Sequence, residues 1–325
     1  MGFKAVSHSA DVAVLMAAIF AGIKTTVRHS TWNAYRMNLT RHVLPTLGSV
    51  ELRQLQPSQL NRLYATLLES GRRPGGGLSP TTVGLVHVVC HRLLRDAVRW
   101  NRLSRNVADS ADPPRSANPE IRVWSGAELK AFLAHVADDR LEGLWITAAT
   151  TGARRGELLG LRWSDVDLDA GRIRIAQTLA VTNGQPYISE PKTPRSRRSV
   201  SLDSGTVLAL QAHRRRQLEE KLAAGPAWVD SGLVFVRQDG EPLHPERGVS
   251  VAFTRHVRDA KLPALTFHGL RHTYATIALG AGCHVKVVSE RLGHSSIAIT
   301  LDRYSHVLEA VGEDEANRVG SIILG

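Results

Sequence analysis

The spacing of apolar residues divides the chain into two stretches of different character. From about Thr31 to Asp109 it is helical. One amphipathic segment opens at Thr31-Trp32-Asn33-Ala34-Tyr35, runs through Val43, and meets stop signals at Pro45 and Gly48. Pro57-Ser58-Gln59-Leu60 opens another, with Leu60, Leu63, Leu67 and Leu68 at helical spacing and Ser70-Gly71 at its end. The loop from Arg72 to Gly77 breaks the pattern, and Ser79-Pro80 then starts a long helix whose apolar stripe is Val83, Val86, Cys90, Leu93, Leu94 and Ala97. The uncharged run Val12 to Ile23 predicts a buried N-terminal helix.

Ala111 to Pro119 is rich in proline and polar residues and predicts an interdomain linker. Beyond it, Ser125-Gly126-Ala127-Glu128 has the form of a capping box, and helical periodicity continues through Leu159. Arg172-Ile173-Arg174-Ile175 then alternates as a strand does. Thr182-Asn183-Gly184-Gln185 predicts a hairpin turn with Pro186 to Glu190 returning, and Arg198 to Leu202 supplies a third strand. Helical segments follow to the end. The expected fold is mainly α with a small antiparallel β-sheet, an all-helical domain followed by an α+β domain. The expected boundaries are an atypical N-terminal segment (1–28), a helical domain (29–110), a linker (111–120), a second domain (121–310) and a C-terminal tail (311–325).

Charge sharpens this picture. The 325 residues hold 41 Lys and Arg against 30 Asp and Glu, a net charge of +11. Residues 1–115 contain 15 basic and 6 acidic side chains, so the excess sits almost wholly in the first third and is nearly all arginine. Arginine's planar fork suits bidentate phosphate contacts, and a confined basic excess favours nucleic acid as partner. Two cysteines, Cys90 and Cys283, make no disulfide framework and fit a reducing interior. Val12 to Ile23 is too short to span a membrane and lacks a basic lead-in, so no export, no membrane partner and a cytoplasmic location are expected.

The second domain carries separate polar islands within apolar sequence. They are Arg154 and Glu157 in Thr151 to Leu159, Lys192 in a turn, His268-Gly269-Leu270-Arg271-His272, His294 in Leu292 to Ser296, and Tyr304. Each has an ordinary explanation. Arg154 and Glu157 could form a surface helical pair worth ~0.3 kcal/mol, Lys192 could be solvated, and Tyr304 could cap a core. His268 and His272 have metal-ligand spacing, but Arg271 between them repels a cation and no glutamate lies inside the motif. The conjunction answers one problem, phosphoryl transfer without a metal. Two arginines can clamp the nonbridging oxygens, and a tyrosine can attack and hold the phosphoryl group. A lysine can protonate the leaving 5′ oxygen, and a histidine can support proton transfer from the nucleophile.

Thr151 to Asp167 (TGARRGELLGLRWSDVD), the His268 to His272 box, Leu292-Gly293-His294 and Tyr304 together resemble the tyrosine recombinase (phage integrase) family over about residues 30 to 310. The resemblance implies that Arg154 and Arg271 are the catalytic arginines, Lys192 in a hairpin turn the general acid and His268 part of the HxxR box. It further implies that His294 bonds the phosphate and Tyr304 is the nucleophile, with Glu157 supporting Arg154. Tyr274, inside the box helix, and Tyr187, in a strand, are poorer candidates for the nucleophile. The implied activity is site-specific DNA recombination through a 3′-phosphotyrosyl intermediate, integrating or excising a phage or mobile element, with no cofactor and no metal. The implied partners are double-stranded DNA, enclosed by a C-shaped clamp of the two domains, and further copies of the chain, as a homo-tetramer passing through a Holliday junction. Accessory DNA-bending or directionality factors stand as further partners. Residues 1–28 are too few and too apolar for the arm-binding domain that many members carry, and the tail is expected to dock on a neighbouring protomer. A type IB topoisomerase-like relaxation and a DNA-binding prophage remnant stay open as alternatives.

Overall fold

Capping side chains and prolines start most of the helices of the first unit, and buried stripes hold them together. The structure, a computed structural model, describes residues 11–72, 75–116, 121–182, 184–190, 197–305 and 321–324. By its contacts the chain falls into two units, Met1–Pro119 and Glu120–Gly325. The first contains α1 (Val12–Ile23), α2 (His29–Asn38), α3 (Leu44–Leu47), α4 (Pro57–Ser70) and α5 (Pro80–Arg99). Val12, Met16, Ile19 and Ile23 are buried, so α1 shares the core of this helical unit.

Two details differ from the sequence expectation. Pro45 does not stop the preceding helix: a wider π-type stretch, Leu39–Val43, carries the rotation into α3, with Pro45 in its first turn. The widened turn before it is where a ring without an N–H can be taken into a continuing helix. On α4, Leu60, Leu63, Tyr64 and Leu67 are buried, whereas Leu68 points away from the stripe and is exposed. On α5, all six expected stripe residues are buried, and the Ser79 hydroxyl caps the start by accepting from the Thr82 N–H at 3.3 Å.

The second unit contains α6 (Gly126–His135), α7 (Glu142–Thr151), α8 (Arg155–Leu159), α9 (Ser204–Ala224), α10 (Val251–Asp259), α11 (Phe267–Gly280) and α12 (Val285–Leu292). Residues 297–305 and 321–324 are also helical. The capping box at α6 is closed from both sides: Ser125 Oγ accepts from the Glu128 N–H and Glu128 Oε2 from the Ser125 N–H. The core is aromatic, with Trp124, Phe132, Trp145, Phe253 and Phe267 packed ring against ring at centroid separations of 5.2–6.4 Å.

The strands are β1 (Val166–Asp167), β2 (Arg172–Ile175), β3 (Thr178–Thr182), β4 (Gln185–Ser189) and β5 (Arg198–Ser201). They form two antiparallel sheets, one in the order β1-β2-β5 and the other β3-β4. Ile173, Ile175 and Val200 face the core. The expected hairpin joins β3 to β4, with Gly184 at φ +78° in the turn. β4 and β5 belong to different sheets, and the expected turn between them, 191–195, falls outside the described residues. Lys192 lies in this link, outside the described residues.

Helical structure is also interrupted before Leu159. Gly152 ends α7 in the left-handed conformation at φ +62°, and Arg154 becomes the N-cap of α8. A β-carbon at Gly152 would stand 2.6 Å from Tyr274 Cδ1 and 2.7 Å from Leu292 Cδ2. Gly152→Ala is therefore expected to destabilise the second unit by about 2–4 kcal/mol, backbone strain adding to overpacking. A clear drop in its denaturant midpoint checks this; an unchanged midpoint would contradict the tight corner.

Candidate active site

The Gly152 corner brings Arg154 to the start of α8, where Glu157 secures it twice. Glu157 Oε2 accepts from the Arg154 backbone N–H and Oε1 from Arg154 Nη1, both at 2.8 Å. The pair is therefore not a solvated surface couple. The same carboxylate accepts from Arg198 at the start of β5, with Nη2 at 2.8 Å and Nη1 at 3.1 Å. Glu157 and Arg198 side chains are each only 7% exposed. Burial pushes the Glu157 carboxyl up, but the hydrogen bonds and charges of Arg198 and Arg154 outweigh it and hold it at about 2.

Arg271 lies on α11, whose start is capped by Thr266 accepting from the Gly269 N–H at 3.1 Å. Its guanidinium is almost wholly buried, donating from Nη1 to the Gly152 carbonyl at 2.9 Å and from Nη2 to the Leu292 carbonyl at 2.8 Å. Arg198 Nε donates to the Arg291 carbonyl at 2.7 Å, and Arg154 Nη2 to the Gly293 carbonyl at 3.1 Å. Three arginines from distant parts of the chain thus take three successive carbonyls at the C-terminal end of α12. Burial and the neighbouring Arg154 lower Arg271 to about 9, which leaves it protonated at neutral pH.

Past the left-handed Gly293, which ends α12 at φ +67°, the chain turns to His294, whose Nδ1 is 2.7 Å from Thr300 Oγ1. His268 stands in the first turn of α11, and its ring meets that of His272 edge-on at 5.0 Å. His272 Nδ1 lies 2.7 Å from the Tyr304 hydroxyl. Arg154, Glu157, His268, Arg271, His272, His294 and Arg303 line one open pocket of about 430 Å³. Tyr304 is 1% exposed, one hydrogen bond behind the pocket-lining His272.

Of the residues singled out in the sequence, Arg154, Glu157, His268, Arg271 and His294 meet at this pocket, and Tyr304 lies directly behind it. Arg198 and His272 were missed. Arg198 sits in a short strand with no motif around it, and only its pairing with Glu157 reveals it. His272 was visible as a neighbour of Arg271, but its link to Tyr304 spans 32 positions.

Three lining arginines against one carboxylate make the pocket suited to an anion. Positive neighbours and burial also keep the imidazoles neutral. Burial first, then His268, Arg303 and Arg271, holds His272 at about 4. Burial first, then Arg271, Arg154 and Arg303, holds His294 at about 4. The Tyr304 phenol is pushed up by burial against the pull of Arg271 and Arg303. Among the described residues, no three His, Cys, Asp or Glu side chains gather as a metal site requires, and no helix is long and apolar enough to cross a membrane. On the first unit, Tyr35, His87, His91, Arg92 and Arg95 line a shallow basic depression.

The titrations give two pH windows. Glu157, held at about 2 instead of 4.5, contributes stability that is complete above about 4.5 and is lost as the pH falls toward 2. His272 and His294, held at about 4 instead of 6.5, cost stability as the pH falls from 6.5 toward 4, because the unfolded chain takes up their protons first. Glu157→Gln is expected to destabilise the second unit by about 2–4 kcal/mol at neutral pH. It should also weaken the pH dependence below 4.5 while leaving the upper window intact. Denaturant unfolding across pH 2–7 measures both effects.

Comparison with known proteins identifies the family. The profile of the phage integrase family matches residues 126–310, and that of the phage integrase N-terminal SAM-like domain matches residues 20–68. A tyrosine recombinase XerC-like protein of Caldanaerobacter subterraneus subsp. tengcongensis is 28% identical over 309 residues, 89% of this chain and 77% of its own. The Tn1549 transposon integrase, solved in complex with a circular intermediate DNA, has a TM-score of 0.79 at 23% identity, covering 96% of this chain and all of that one. A lambda integrase tetramer bound to a Holliday junction has a TM-score of 0.63 at 16% identity, covering 89% of this chain and 79% of that one. At those identities the structural likeness is one of fold. The family profile spans more than half of the sequence, and the chain belongs to the phage integrase family, the tyrosine-type site-specific DNA recombinases.

Proposed function

We propose that this recombinase integrates or excises a mobile element by breaking one phosphodiester at a time through Tyr304. Arg154 and Arg271 bind the nonbridging oxygens of the scissile phosphate, and Glu157 holds Arg154 in place. His294 donates to the same phosphate and His268 completes the box around it. Tyr304 attacks phosphorus to give a 3′-phosphotyrosyl enzyme, and Lys192 protonates the departing 5′ oxygen. The released 5′-hydroxyl of a partner strand reverses the step, so the phosphotyrosyl bond conserves the energy for rejoining. Neither a nucleotide nor a metal takes part, because the guanidiniums supply the charge that stabilises the five-coordinate phosphorus.

The observation that carries this reading is the convergence of two arginines and two histidines on one anion-suited pocket with a tyrosine hydroxyl behind its wall. The basic depression on the first unit supports a grip on duplex DNA in that unit. A homo-tetramer on two DNA sites is proposed as the working assembly, by analogy with the lambda integrase tetramer on its Holliday junction. The exposed apolar Ile322, Ile323 and Leu324 support docking of the tail on a neighbouring protomer. Accessory DNA-bending or directionality factors, where used, act on the assembly and not on the chemical step. The proposed compartment is the cytoplasm, where the DNA lies.

The test is a nicked duplex spanning the end of the element that encodes the protein, scored for a covalent protein–DNA adduct on a denaturing gel. Wild type is expected to form the adduct with EDTA present, and Tyr304→Phe to form none. Arg154→Ala and Arg271→Ala should bind the site but lose adduct formation by about 10²–10³-fold. Relaxation of any plasmid regardless of sequence would instead favour a topoisomerase, and tight site binding without an adduct would favour a DNA-binding remnant. Lys192→Ala should be slow on the normal substrate and recover when the bridging 5′ oxygen is replaced by sulfur, a leaving group that needs no proton. Equal slowness on both substrates would remove Lys192 from the general-acid role.

A further inference from the structure

Of the two histidines in the box on α11, the one that touches the nucleophile is His272. Its Nδ1 lies 2.7 Å from the Tyr304 hydroxyl, and the two ring centroids are 5.9 Å apart. His268, one turn earlier, stacks edge-on against His272 and lines the pocket beside Arg271. Tyr304 is buried, so water has little access to its hydroxyl. A phenol that attacks phosphorus must release its proton, and an ester oxygen cannot retain it. We infer that His272, and not His268, accepts the Tyr304 proton as the bond to phosphorus forms.

The inference rests on Tyr304 being the nucleophile. The phenolic O–H bond breaks and its proton passes to the Nδ1 lone pair, while a pair on the phenolic oxygen forms the bond to phosphorus. The bond from phosphorus to the 5′ oxygen breaks, and that oxygen leaves with the proton of the general acid assigned to Lys192. Rejoining runs the same transfers backward, His272 returning its proton to the tyrosine. For this, His272 must be neutral with Nδ1 bare in the resting enzyme. Its surroundings favour the neutral ring: burial, His268, Arg303 and Arg271 all oppose a charge there, and the facing Tyr304 is a neutral phenol. Arg271 and Arg303 also ease the loss of the phenolic proton.

Two measurements on the full chain test this. Nitrogen-15 NMR of the histidine rings should find His272 neutral with its proton on Nε2; a proton on Nδ1, donating to the tyrosine oxygen, would overturn the assignment. The second compares His272→Ala and His272→Asn on the nicked duplex. The asparagine side-chain oxygen can stand near the Nδ1 position and accept a hydrogen bond, but it cannot take up a proton. Both variants should bind the site as wild type does and form the adduct about 10²-fold more slowly or worse at saturating enzyme. Unlike Lys192→Ala, neither should recover with the 5′-sulfur substrate, because the missing proton acceptor lies on the other side of phosphorus. Recovery of near wild-type rates in His272→Asn would reduce His272 to a positioning residue and overturn the inference. Failure of the wild-type enzyme to form any adduct would instead overturn the proposed function.

Discussion

The pocket depends on the carbonyl end of one short helix. The last carbonyls of an α-helix have no partner within it and carry the negative end of its dipole. At the end of α12, the Arg291, Leu292 and Gly293 carbonyls accept from Arg198, Arg271 and Arg154. Hydrogen bonds of this kind, with a charged donor, contribute about 1.5–3 kcal/mol each. They bring together guanidiniums from β5, from α11 and from the corner before α8, whose mutual repulsion would otherwise drive them apart. Glu157 completes the arrangement as the one carboxylate among the described residues that line the pocket, bound by two of the three arginines.

Such a platform is preorganised. Arg154 and Arg271, which already have fixed partners and line the pocket, spend little further entropy when an anion arrives, and a guanidinium has five N–H donors with which to meet it. Arg271 is the clearest case, with one N–H to the corner carbonyl of Gly152 and another to the end of α12. Gly152 and Gly293 both adopt the left-handed conformation where the chain passes closest to these groups. A β-carbon at Gly293 would stand 2.8 Å from Arg198 Nη1, so the glycine that ends α12 also admits the arginine that braces it.

The same concentration of positive charge governs the titration of the pocket. It holds Glu157 ionised and, with burial, holds His272 and His294 neutral near neutral pH. A neutral imidazole is a hydrogen-bond donor at one nitrogen and an acceptor at the other, so the cluster can both contact a phosphate and take up a proton. Tyr304 stays protonated behind it because burial outweighs the pull of Arg271 and Arg303.

What the sequence by itself determined was local. The apolar stripe of α5, the caps at Ser79 and Ser125 and the β3–β4 hairpin depend on residues a few positions apart, where spacing and turn chemistry suffice. The candidate site residues stood out because their types together suit one chemistry, and Arg154, Glu157, His268, Arg271 and His294 line one pocket. Only the tertiary structure decided that Leu68 turns outward, that β4 and β5 enter different sheets, and that Arg198 shares Glu157 across 41 positions. It alone paired His272 with Tyr304. The physical reason is that helical and strand periodicity records which face of an element is buried, whereas a contact between distant elements depends on how those elements pack. A lone arginine in a four-residue strand has no local signal, and its role comes from the carboxylate and the helix end that folding brings to it.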